Sequence, residues 1–202
     1  YNYQILRDQL EKEGSSFVSH SDTEVLLKLF QQKKEKMLPL LRGMFALAIW
    51  DTVEKTLFVA RDHLGIKPLY YSFQDGIFRF ASQVKAILAG NEIRTTHCPA
   101  GQVGLFLWGH IPEPFTLYNE IQSMPAGSYM FIKKGQQPQV TQLFWQLKDV
   151  WCNALTKPLK LNDGTERKFI NDNDTVILRG YCTNNKTRIG FGECKAKVLP
   201  AI

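Results

Sequence analysis

The 202-residue sequence contains no apolar run approaching the roughly 20 residues that a membrane-spanning helix takes, so no membrane partner is expected. It has no initiator Met, from which Tyr1 is expected not to be a natural start. Tyr1-Asn2-Tyr3 leads straight into an amphipathic pattern, with no signal peptide. Cysteine is scarce: Cys98, Cys152, Cys182 and Cys194 include no C-x-x-C pair, and no histidine stands at a metal-ligand interval from them. That excludes a zinc ribbon and leaves no metal expected in this chain. The four thiols are expected to be free and buried in a reducing cytoplasm. Charge is not concentrated either. The net charge is +6, and the one dense basic run, Lys33-Lys34-Glu35-Lys36, reads as a solvated helix end, so no nucleic-acid partner is expected.

What is present centres on Arg42–Tyr71, RGMFALAIWDTVEKTLFVARDHLGIKPLYY. Met44–Trp50 and Thr56–Ala60 are short apolar runs separated by a polar connector, and they read as adjacent antiparallel strands. Arg61-Asp62 follows directly and, from residue physics alone, reads as an ion-paired corner of a core hairpin. Gly65 and Pro68 mark a tight turn before a strand at Leu69–Phe73. Upstream, Tyr3–Lys12 and Val25–Lys34 have helical spacing, and Ser15–Ser19 reads as a short β-type run. Ser21, followed three residues on by Glu24, has the spacing of a capping box. Downstream, Gly76–Phe80 reads as a strand, Ala81–Gly90 and Pro99–Gly109 as helices, Ile111–Tyr118 as an extended Pro-rich segment, and Tyr129–Lys133 and Val140–Trp145 as strands.

The Arg42–Tyr71 string resembles the R-G-M-F-A…A-R-D-x-L-G-I-K-P-L-Y-Y signature of the asparagine synthetase family, in its glutamine-hydrolysing domain. Ser21-Asp22-Thr23-Glu24-Val25 is similar to that family's S-D-T-E-V, and Pro112-Glu113-Pro114 through Tyr129 to its P-E-P-x-T-L-Y…P-A-G-x-Y. The resemblance implies an α+β chain over residues 1–148: part of a class II glutamine amidotransferase domain with the N-terminal-nucleophile (αββα) fold and antiparallel sheets. It implies glutamine as substrate and Asp22 as the carboxylate that contacts its α-amino group. Such a pairing would fix the amino acid's orientation. It also implies ammonia transfer to aspartate with ATP and Mg, carried out by a synthetase domain needed for the full reaction. Gln83 stands where the family has Glu, which puts the coupling to that domain in question.

Family glutaminases use an N-terminal cysteine whose thiolate attacks the side-chain amide. Residue 1 here is Tyr1, and the N-G-E-I run that builds the oxyanion hole would lie upstream of it. The chain is therefore expected to hold no catalytic residue and to be inactive as it stands. No S-G-G-x-D-S run for ATP pyrophosphate occurs. Beyond a junction at 149–155, which has no Gly/Ser/Pro-rich spacer, residues 156–202 resemble the C-terminus of fumarylacetoacetase. The resemblance rests on Thr156-Lys157-Pro158, Gly180-Tyr181-Cys182 and Arg188-Ile189-Gly190-Phe191-Gly192. It implies a short all-β segment, with strands expected at Arg167–Ile170, Thr175–Tyr181 and Arg188–Phe191, and no catalytic residue. Two alternatives remain at this point: a non-catalytic amino-acid-binding module around Asp22, and a fragment of a fumarylacetoacetate-type hydrolase.

Overall fold

A computed structural model describes residues 2–90 and 92–156, together with the strand residues 159–160, 166–167, 175–183 and 188–197. The chain divides into two compact units, residues 1–146 and 147–202. The first unit begins with helices α1 (Tyr3–Lys12) and α2 (Asp22–Lys33), then a 3-10 helix over Lys34–Leu40. Strands β1 (Ala46–Asp51), β2 (Thr56–Arg61), β3 (Tyr70–Gln74) and β4 (Ile77–Ala81) follow, then helices α3 (Val84–Leu88) and α4 (Pro99–Trp108). Strands β5 (Gln122–Ser123), β6 (Ser128–Lys133) and β7 (Gln142–Leu143) complete it.

The strands form two antiparallel sheets, ordered β1-β2-β6-β7 and β4-β3-β5. The expected hairpin is present, with Ala46 opposite Arg61 and Asp51 opposite Thr56. Alternation along β2 and β6 then sorts the core, because successive side chains point to opposite faces. Phe58 and Ala60 join Ile49 beneath α1 and α2, packing with Leu6, Leu10, Val25, Leu29, Phe30, Met37 and Leu38. On the other face Val59, Met130 and Ile132 meet Leu69 and Met124, flanked by Tyr71 and Phe78 of the second sheet. Helix α3 lies against β3 and β4. The fold is α+β with antiparallel sheets, as expected.

Several expectations need correction. Ser15–Ser19 is not a strand: the Ser15 amide donates to the Leu10 carbonyl, and those of Val18 and Ser19 to the Glu24 side chain. Ala81 ends β4 and the helix that follows is shorter than expected, Val84–Leu88, with Ala89 as its C-cap. The expected strand Val140–Trp145 pairs only at Gln142–Leu143, because the amides of Phe144 and Trp145 both turn to the Gly127 carbonyl. Gly127 itself sits at φ +63, and a Cβ there would lie 2.4 Å from the Trp145 carbonyl oxygen, so the crossing requires glycine. Cys98 is buried as expected, whereas Cys152 is exposed.

In the second unit Leu147–Thr156 is a helix (α5), across residues read as a bare junction. Two hairpins follow: β8 (Leu159–Lys160) with β9 (Glu166–Arg167), and β10 (Thr175–Thr183) with β11 (Arg188–Lys197). The second is longer than the sequence suggested, with a register shift at Gly180/Tyr181. Of the strand expected at Arg167–Ile170, residues 168–170 lie outside the described residues.

Candidate active site

Asp22 is the first residue of α2 and is exposed. Its position depends on how the chain enters the helix. Ser21 is extended, with ψ 141, and its hydroxyl accepts from the Thr23 amide at 3.1 Å. Glu24 does not complete the capping box. Its carboxylate reaches further back and accepts from the Val18 amide at 2.9 Å, the Ser19 amide at 2.7 Å and the Ser19 hydroxyl at 2.6 Å. The Ser19 hydroxyl, with the two amides behind it, holds the Glu24 carboxyl pushed down to about 2. The turn before α2 is thus tied to the helix three residues beyond its cap, and Asp22 stands between the two anchors.

Asp22 lines a cavity of about 560 Å³ whose walls include Leu6, Val25, Leu26, Met44 and Leu47. The polar residues that share the cavity with it include Asn2, Arg42 and Lys67, with Thr23 and Ser82. Asn2 fastens one wall, since its side-chain amide donates to the Leu40 carbonyl and accepts from the Arg42 amide, both at 2.9 Å. A carboxylate at a helix start and two cationic residues lining one largely apolar cavity supply charges that complement an amino-acid zwitterion. The sequence reading missed Asn2, Arg42 and Lys67. Nothing in local spacing signals them, because a 40-residue loop closure brings Asn2 to Arg42.

The Arg61-Asp62 corner is built differently from the expected ion pair. Arg61 is buried and bridges away from Asp62: Nε donates to the Lys67 carbonyl at 2.8 Å, Nη2 to Gly65 at 2.6 Å, and Nη1 to Glu113, Ser123 and the Met124 carbonyl. Asp62, 1% exposed, instead accepts the amides of Phe45, Leu64, Ile66 and Lys67. The pair folds the 61–68 loop onto itself and carries Lys67 to the cavity. Gln83, the departure from the family pattern, is exposed at the N-cap of α3 and makes no capping bond there.

Residues 1–145 match the family described as "Glutamine amidotransferase domain". The chain belongs to that family. The amidotransferase domain is 40% identical over 134 residues to asparagine synthetase [glutamine-hydrolyzing] 1 of Bacillus subtilis, a match covering 66% of this chain and 21% of that protein. It is 41% identical over 88 residues to asparagine synthetase [glutamine-hydrolyzing] 2 of Arabidopsis thaliana, covering 43% and 15%. Among solved structures, glutamine phosphoribosylpyrophosphate amidotransferase from B. subtilis aligns with a TM-score of 0.49 at 23% identity, over 71% of this chain and 27% of that one. The chain spans about a fifth of the length of the B. subtilis synthetases it matches.

Cys98, the cysteine of the amidotransferase domain, does not line the cavity. Cys98 is buried, and its sulfur caps α4 by accepting the Gly101 amide at 3.5 Å. Among the described residues no three His, Cys, Asp or Glu side chains gather closely enough to hold a metal ion, and no helix is long and apolar enough to cross a membrane.

Proposed function

We propose that residues 1–145 form the amino-acid-binding part of an asparagine-synthetase-type glutaminase, with glutamine as the ligand and Asp22 as the contact to its α-ammonium. The observation that carries this reading is Asp22 at the start of α2, held between the Ser21 cap and the Glu24 clamp, at the wall of an apolar cavity. Asn2, Arg42 and Lys67 complete a polar rim suited to a zwitterion. Ammonia released from glutamine would serve an ATP- and magnesium-dependent transfer to aspartate in a synthetase portion, and neither cofactor is assigned to a residue of this chain. The thiol of Cys98 is committed to a helix cap, and no nucleophile is assigned to a residue of this chain. The reading for the 202-residue polypeptide is glutamine binding without hydrolysis. Calorimetry should show glutamine binding that Asp22→Asn weakens at least tenfold, about 1.4 kcal/mol, with no ammonia released above a heat-killed control. Undetectable binding to the parent polypeptide would sink the assignment, and ammonia release would sink the inactivity.

For residues 156–202 we keep the fumarylacetoacetase-like reading, as a segment joined to the amidotransferase domain near residues 149–155. The sequence run Arg188–Gly192 supports it, and the β10–β11 hairpin is compatible with it. The simplest account of two families meeting there is a joined or mis-assembled chain; reading one transcript across codons 140–165 tests it, and a transcript that runs straight through counts against it.

A further inference from the structure

The second sheet has one apolar face and one polar face. Tyr71 and Phe78 turn inward to the core. Side chains alternate along a strand, so Ser72 and Gln74 of β3 and Arg79 of β4 point the other way, and Ser72 stands directly opposite Arg79 in the register. Side chains of this polar face hold the 92–94 segment. Glu92 accepts from Nη2 of Arg79 at 2.7 Å, while the Gln74 side-chain amide donates to the Arg94 carbonyl at 3.2 Å and accepts from the Arg94 amide at 3.1 Å. Helix α3 packs on the same two strands. Ser72 is thereby 1% exposed. Its hydroxyl and Nη1 of Arg79 are both buried, and neither has a hydrogen-bond partner among the described residues. They are the only two such side-chain atoms among those residues, and they belong to one cross-strand pair. Folded proteins rarely keep a buried polar group unpaired, because its desolvation is then uncompensated.

We propose that Ser72 and Arg79 together hold one buried water molecule, which accepts from Nη1 of Arg79 and pairs with the Ser72 hydroxyl. Residues directly opposed in an antiparallel pair stand with Cβ atoms about 4.5–5.5 Å apart, a span that two hydrogen bonds cover, so one small molecule can serve both groups. Charge selects water over an anion. The Arg79 guanidinium is already met by the Glu92 carboxylate, so the pair needs no second negative charge, and an anion would be set near a like-charged group. The serine hydroxyl both donates and accepts, which suits a molecule that does the same. The water then ties the 92–94 segment, through Arg79 and Glu92, to the middle strand of the second sheet.

A crystal structure of the full 202-residue chain should show a single solvent peak within about 3.2 Å of both Ser72 Oγ and Arg79 Nη1. Bromide soaked into the same crystals should give no anomalous signal there. In solution, Ser72→Ala and Arg79→Met should each lower the folding equilibrium constant. The double variant should lose less than the product of the two single losses, by at least about threefold, as groups that share a partner do. The crystallographic result stands even where a variant does not fold. A direct hydrogen bond between the two side chains, a site without solvent, a bromide peak, or losses that multiply independently would each overturn the proposal.

Discussion

Asp62 accepts four backbone amides while 1% of its surface meets solvent. Removing the carboxylate would strand those donors in a buried corner, and each unpaired donor costs about 1–3 kcal/mol. Part of that is recovered where loop amides can turn to water. Asp62→Ala is therefore expected to lower unfolding free energy by roughly 2–5 kcal/mol. Asp62→Asn keeps one acceptor oxygen and should lose about half as much. Chemical denaturation measures both, and an Ala variant within about 0.5 kcal/mol of the parent, the scale of an inert surface change, would contradict the assignment. The sequence made Arg61-Asp62 visible as a special pair, yet it could not name the partners. Neither side chain chooses the other, because Arg61 is met by carbonyls of its own loop and by Glu113, Ser123 and the Met124 carbonyl, and Asp62 by backbone amides that must be satisfied first.

The start of α2 rests on Glu24, and its behaviour with pH follows from its contacts. The folded carboxyl is pushed down to about 2, chiefly by the Ser19 hydroxyl, so the clamp is fully present above the ordinary Glu range. It is lost as pH falls from there toward about 2. Amide hydrogen exchange at Val18 and Ser19 should therefore speed up over that interval beyond its intrinsic pH dependence, while the amides of the α2 interior stay protected. Glu24→Gln should give rapid exchange at both amides at neutral pH. An exchange profile at Val18 and Ser19 that Glu24→Gln leaves unchanged would show that the clamp does not hold the turn. Here the sequence signalled the cap at Ser21 and misread Glu24, because a Ser-x-x-Glu spacing permits a carboxylate either to return to the cap or to reach beyond it. The Ser19 hydroxyl and two free amides at 18 and 19 decide for the latter.

For the whole molecule, the two sheets of the amidotransferase domain end in open edges at β1 and β4. Beside them large apolar side chains remain in view: Met44 and Trp50 along the first sheet, Ile77 and Phe80 along the second. They are 36–50% exposed, so each forgoes a part of the roughly 1.5–3 kcal/mol of full burial, against a domain margin of about 5–15 kcal/mol. Open edges also invite pairing with other chains. The 202-residue polypeptide is accordingly expected to melt below about 60 °C, within or under the usual mesophilic range, and to associate on heating. A cooperative transition above that temperature in a sample that stays dispersed would refute this.

The sequence by itself determined what local chemistry can specify. Short apolar runs bounded by turn residues made β1 and β2 legible, alternation made β4 so, helical spacing gave α1 and α2, a Pro start and Gly stop gave α4, and the Arg42–Tyr71 signature led to the amidotransferase family before any contact was known. Asp22 was legible as a candidate because its motif is contiguous. What only the tertiary structure decided are relations across long loops. Asn2 beside Arg42, Arg61 reaching Glu113 and Ser123, and the brief pairing of β7 all depend on which buried polar groups find partners once the sheets have closed. The same holds for the outward face of α4. Its glycines looked like ordinary punctuation in an apolar run until the 111–118 segment packed against them and left Phe106 no inner surface to cover. A side chain's partner is set by the summed packing of distant segments, and no window of neighbouring residues contains that sum.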